Sequence, residues 1–277
     1  MKTQGLQNFA DHFENTAKMP LLFLGHGSPM NAIEDNEFVL GFKNIGKQIP
    51  TPTAILCISA HWETKGTFVT AMSHPRTIHD FGGFPKALFD IQYPAPGSPE
   101  LAKQTQALVE KTALGLDYSW GLDHGAWSVL KHLYPEANIP IIEMSIDYTQ
   151  KPEYHYELAK QLAALRNKGV LIVGSGNMVH NLGLVAWNQL NADGFAFDWA
   201  VEANEKMKHM ISTNHHEALI NFNSQGSAFD LAIPTPEHFI PLLYTLALKE
   251  EKENIKFFND KAFAGSITMT SLLIEEN

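Results

Sequence analysis

Three short apolar runs, each delivering a histidine, constrain this chain more than any other feature. Pro20-Leu21-Leu22-Phe23-Leu24 ends in Gly25-His26-Gly27-Ser28-Pro29. Ala54-Ile55-Leu56-Cys57-Ile58-Ser59-Ala60 runs into His61-Trp62, and Val170-Leu171-Ile172-Val173 passes through Gly174-Ser175-Gly176-Asn177 to His180. Short apolar runs bounded by turn residues read as strands buried on both faces, the pattern of a sheet covered by helices. The carboxyl ends of such strands are where open α/β sheets build their ligand sites. The runs therefore predict strands that carry histidines to one sheet edge.

The segments between them alternate in period. Residues 36–49 repeat apolar side chains at Phe38, Val39, Phe42 and Ile45, which predicts a helix closed by Pro50-Thr51-Pro52. Residues 68–72 and 139–146 read as strands, and 99–113, 128–134 and 152–167 as helices, the last ended by Lys168-Gly169. Residues 186–227 are mainly helical in pattern, with His209, His215 and His216 read as solvated. An apolar helix over 242–248 and an alternating strand over 266–272 follow. The prediction is a single α/β domain spanning 1–277, with a mostly parallel or mixed central sheet and helices on both faces. Residues 73–99, rich in glycine, proline and aromatics, form a long irregular connection of the kind that walls or covers a pocket.

Composition narrows the partners. Thirty acidic residues against twenty basic ones give a formal charge of −10, which disfavours nucleic acid and acidic membranes. No apolar stretch reaches the roughly 18 residues of a membrane span. The first nineteen residues lack a signal peptide's apolar centre, and the one cysteine, Cys57, sits inside an apolar run. A cytoplasmic protein acting on a small molecule, as a monomer or small homo-oligomer, is expected.

Neutral imidazole is a common ligand for zinc and iron, so histidines gathered at one edge predict a metal site. His238, in Thr235-Pro236-Glu237-His238, is a further candidate. Adjacent side chains diverge in strand or helix, so one of Glu237 and His238 reaches a shared metal.

The order of short motifs adds specificity. Gly25-His26-Gly27-Ser28-Pro29, Ser59-Ala60-His61-Trp62, His79-Asp80-Phe81-Gly82-Gly83-Phe84, Asp123-His124-Gly125, Gly174-Ser175-Gly176-Asn177-Met178-Val179-His180-Asn181 and Thr235-Pro236-Glu237-His238 follow one another along the chain. Together they resemble the class III extradiol ring-cleavage dioxygenases of the LigB type, closest to the 4,5-DOPA dioxygenase extradiol branch. The resemblance covers nearly the whole chain. It implies a LigB-like fold, a catechol substrate such as DOPA, O2 as co-substrate, and a ring-opened semialdehyde product. It implies Fe(II) for activity, with Zn(II) as an alternative occupant. His26 and His61 match the family's metal ligands. The third ligand is a carboxylate in better-known members; the DOPA-cleaving branch looks richer in histidine, which favours His238 here. Glu237 then becomes a substrate contact, with Ser28 and His79 as further substrate contacts. His180 matches the acid/base histidine, or completes a four-histidine zinc site, and His124 lines the pocket as a second catalytic residue.

Two other readings compete. A zinc hydrolase would use a metal-bound hydroxide, but His216-Glu217 is not followed by the second histidine of a zincin motif. A non-catalytic binding protein could keep the same scaffold.

Overall fold

Successive residues of the histidine-bearing strands face opposite cores. Leu21 and Phe23 of β1 (Leu21–Gly25) pack on one side of the sheet and Leu22 and Leu24 on the other. The same split divides Leu56 and Ile58 from Ile55 and Cys57 in β2 (Ala54–Thr64), and Ile172 from Leu171 and Val173 in β6 (Val170–Gly176). Strands wet on neither face need apolar side chains at every position, hence continuous runs in place of alternation. Trp127 and Leu130 of helix His124–Leu133 and Phe42 of helix Glu37–Gln48 cover one face. The other is covered by helices Pro99–Leu108, Pro152–Lys160, Asp198–Ser212 and Ile240–Ala247.

The computed structural model describes residues 16–190 and 192–276. Residues 1–15, Asn191 and Asn277 lie outside the described residues, and with them most of the stretch read as lacking a signal peptide. No helix among the described residues is long and apolar enough to cross a membrane.

The main sheet has eight strands. Completed by β3 (Thr67–Thr70), β4 (Leu114–Asp117), β5 (Ile141–Asp147), β7 (Asn254–Phe258) and β10 (Ser271–Glu275), its order is β4-β3-β5-β2-β6-β1-β10-β7. The inner strands β5, β2, β6 and β1 are mutually parallel, with Leu56 opposite Ile172 and Leu22 opposite Val173. Antiparallel pairs β3 with β5, β1 with β10 and β10 with β7 make the sheet mixed, within the expected α/β class.

Several expectations shift in detail. Helix His124–Leu133 starts four residues before the expected 128, because the Asp123 side chain accepts from the Ala126 amide and caps it at 123. The helix over 152–167 divides into Pro152–Lys160 and Ala163–Arg166, since bonds from Gln161 and Leu162 reach back only three residues. The strand over 266–272 also divides. β9 (Ile267–Thr268) pairs with β8 (Ala262–Phe263) in a small second sheet, and β10 joins the main one. His61 lies inside β2 and not after it; pairing with β5 changes register between Ile58 and Glu63. His216 is not solvated as expected: its Nδ1 meets the Tyr156 hydroxyl at 2.8 Å, its Nε2 is buried, and burial lowers its pKa to about 4.

Candidate metal centre

The carboxyl ends of β1 and β6 lie side by side, with the His26 amide donating to the Gly176 carbonyl at 3.1 Å. The His26 ring is buried, and its Nδ1 lies 3.0 Å from the Ser175 hydroxyl. That hydroxyl spends its one proton on the Gly125 carbonyl at 2.5 Å. Ser175 must therefore accept from His26 Nδ1–H, which leaves the lone pair on His26 Nε2. His61 Nε2 faces it at 3.1 Å, while His61 Nδ1 points the other way, 3.5 Å from the Asp80 carboxylate. With the His61 proton on Nδ1, toward Asp80, the two Nε2 lone pairs face each other across a gap that a cation can share. Two imidazole nitrogens bound to one ion at about 2.0–2.1 Å, at right angles, are about 3 Å apart.

Three more histidines surround this pair. The His238 ring centroid is 5.0 Å from both His26 and His61, and the His180 ring stacks on His238 at 3.4 Å. His238 Nδ1 is buried with no hydrogen-bond partner, the kind of orphaned polar atom that a bound ion or water satisfies. His124 opens its helix, its ring 3.9 Å from that of His61. Asp80 holds His124 twice, accepting from its amide at 2.9 Å and facing its Nδ1 at 2.9 Å. An ionised Asp80 accepts a hydrogen bond from His124 Nδ1, which orients the ring. Burial alone would raise the Asp80 carboxyl, but His124 and His61 more than offset this and hold it below the ordinary aspartate range.

Close backbone approach makes the cluster possible. A Cβ on Gly176 would stand 2.1 Å from the His238 carbonyl oxygen, which accepts from the Asn177 amide. A Cβ on Gly125 would meet Ser59 Oγ at 2.4 Å and His61 Cδ2 at 2.9 Å. Only glycine lets these loops close on the strands.

Burial sets the charge state. It lowers His26 and His238 well below the ordinary imidazole range, His61 to about 3 and His180 to about 4, with neighbouring histidines adding to each shift. These four imidazoles are neutral at pH 7, the form that binds metal or accepts a proton. Behind them lies a fully buried carboxyl pair. Asp123 accepts from Ser59 Oγ at 2.6 Å, and its amide donates to Glu143 Oε1 at 3.0 Å. Burial and neighbouring acids push Asp123 up to about 6 and Glu143 well above the carboxylate range, so the pair retains a proton.

Residues that could ligate an ion fall into two separate groups, His26 with His61 and His124, and His180 with Glu237 and His238. His26, His61, His124, His180 and His238 line one cavity of about 560 Å3, as does Ser28. Ser28 Oγ accepts from the Met30 amide at the start of a short 3-10 turn. Two expected substrate contacts do not line it. His79 sits behind the wall, its Nε2 3.0 Å from the Ile91 carbonyl, and Glu237 accepts from Thr235 Oγ1 at 2.8 Å. The long connection instead contributes Asp80, Phe81 and Phe84. Asp80 stands next to His79 in an irregular segment, where no periodicity says which of the two faces inward. Trp187, Phe263 and Met269 are further wall residues that no motif marks.

A sheet-edge cluster of neutral histidines on an enclosed cavity defines a metal-dependent enzyme of the α/β class. Residues 20–268 match the family described as the catalytic LigB subunit of aromatic ring-opening dioxygenases, and the chain belongs to that family. It is a non-haem, metal-dependent extradiol dioxygenase acting on a small aromatic molecule with O2. It is 44% identical to the 4,5-DOPA dioxygenase extradiol of Escherichia coli (strain K12) over 269 residues, 95% of this chain and 97% of that one. Identity to the 4,5-DOPA dioxygenase extradiol of Beta vulgaris is 34% over 255 residues, 90% and 94% of the two chains. The crystal structure of an uncharacterized protein from Escherichia coli K12 superposes with a TM-score of 0.80 at 40% identity, covering 93% of this chain and all of that one.

Proposed function

We propose that the chain opens the ring of a catechol, DOPA being one candidate, beside its diol, placing both atoms of O2 in a semialdehyde product. The observation that carries this is the pair of Nε2 atoms of His26 and His61 facing each other at 3.1 Å beside the orphaned Nδ1 of His238. These three histidines would hold the metal, in a set of neutral donors that suits Fe(II) or Zn(II). Fe(II) with open positions would supply the electron-transfer chemistry that lets O2 react with the ring, which redox-inert Zn(II) would not.

The protein's own groups handle protons and position. His180 is neutral at pH 7 and takes up a phenolic proton as the diol approaches. Asp80 fixes the His124 ring so that Nε2 faces the cavity as a second acceptor, the role played by an orienting carboxylate in general-base pairs. Phe81 and Phe84 offer an aromatic wall that excludes water and holds the substrate ring. A cytoplasmic location accords with the lone buried Cys57.

The test is anaerobic reconstitution with Fe(II), addition of a catechol, then air. Stoichiometric O2 uptake with a coloured ring-opened product supports the reading. A reconstituted protein that takes up no O2 with any catechol overturns it.

A further inference from the structure

The walls and rim of the cavity speak to what the catechol carries on its ring. Five histidines form the metal end, and the exposed rim carries apolar side chains, with Trp187 69% and Leu182 59% exposed, beside the carboxylate of Glu34. Isolated exposed apolar residues need no explanation, but a set of them around a cavity mouth marks a ligand-contacting surface. Among the described residues that line the cavity there is no lysine or arginine. The acids there are Asp80, committed to His124 and His61, and Glu34, exposed at the rim and in no ion pair among the described residues. The nearby amides are engaged: Asn31 donates to the His26 carbonyl and Asn36 to Asn31. The chain as a whole carries a formal charge of −10.

We infer that this site selects catechols whose ring substituent is apolar or cationic over those whose substituent ends in a carboxylate. A carboxylate brought to this rim loses hydration, meets Glu34 and finds no guanidinium or ammonium. An ammonium finds the Glu34 carboxylate and the face of Trp187, and a neutral alkyl chain finds apolar wall. Glu34 and Leu182 are the specificity residues this assigns. The inference rests on the catechol reading above and narrows it: an aminoethyl catechol should bind better than DOPA, which carries a carboxylate beside its ammonium.

Binding and turnover are read separately. Dissociation constants are measured by calorimetry without O2 on the zinc-loaded full chain, for catechols bearing propyl, 2-aminoethyl or 2-carboxyethyl at ring position 4. The carboxyethyl compound is expected to bind at least about tenfold more weakly than the propyl one, and the aminoethyl compound at least as tightly. Glu34→Gln should remove any aminoethyl advantage, and Leu182→Lys should narrow the carboxyethyl deficit by about threefold or more. A carboxyethyl catechol that binds as tightly as the propyl one overturns the inference, as does failure of all three to bind. If the binding order holds while the iron-loaded protein opens none of the rings, the dioxygenase reading falls and the selectivity stands.

Discussion

His26 Nε2 and His61 Nε2 face each other at 3.1 Å, with His26 giving its Nδ1 proton to Ser175 and His61 turning its Nδ1 toward Asp80. The arrangement depends on a serine that touches no substrate. Ser175→Ala should leave the fold intact and weaken metal affinity by about 10–100-fold, the usual effect of freeing a ligand's supporting hydrogen bond. Competition against a chelator of known affinity reads this directly, and unchanged affinity would remove Ser175 from the account.

Gly176 gives a sharper steric test. Alanine there would put a Cβ 2.1 Å from the His238 carbonyl oxygen, so the loop carrying His238 must move. Gly176→Ala should lower stability by about 1–3 kcal/mol and lose metal affinity with it. Thermal unfolding and metal titration of the same sample check both effects. A variant that keeps wild-type affinity would show that His238 need not be held where it stands.

The buried acids predict an insensitivity. Burial and Asp123 push Glu143 far enough up for it to hold a proton at pH 7, so Glu143→Gln mimics the native protonation state. Its stability should stay within about 1 kcal/mol of wild type, whereas Glu143→Ala leaves the Asp123 amide without its acceptor and should cost about 1–3 kcal/mol. Denaturant titrations distinguish the two. A glutamine variant as unstable as the alanine variant would mean that Glu143 is ionised.

Acid sensitivity has its clearest source away from the cavity. His155 is buried, its Nδ1 3.1 Å from the Tyr244 hydroxyl, and burial lowers its pKa to about 4. Unfolded, it titrates near 6.5. Between these values the unfolded chain binds a proton that the folded one does not, so stability rises with pH across pH 4–6.5 and is lost as pH falls through that window. The full loss from this residue is roughly 3 kcal/mol below pH 4. His155→Gln should flatten the slope of unfolding free energy over that range, and an unchanged slope would contradict the assignment.

The sheet interior was legible because β1, β2 and β6 are buried on both faces and their residues 21–24, 54–58 and 170–173 are apolar without a break. Edge strands were not. β7 (Asn254–Phe258) is exposed or half-buried throughout, and Leu114–Asp117 has only two strongly apolar residues, so neither carries a run that periodicity can find. The site followed the same rule. His26, His61 and His180 announce themselves by the apolar runs that precede them, but choosing Asp80 over His79 depends on the path of a long connection. So does Met269, which lies against Gly25 and Gly27 from the short connection between β9 and β10.

On the proposed function, His26, His61 and His238 are expected to hold the metal, and His124, His180 and Glu237 are not. Metal stoichiometry after Fe(II) or Zn(II) titration and desalting, measured for the six single alanine variants beside wild type, tests it most directly. The account predicts near-complete loss of bound metal for His26→Ala, His61→Ala and His238→Ala, and full occupancy for the other three. Full occupancy in His238→Ala, with loss in Glu237→Ala or His124→Ala, would contradict it.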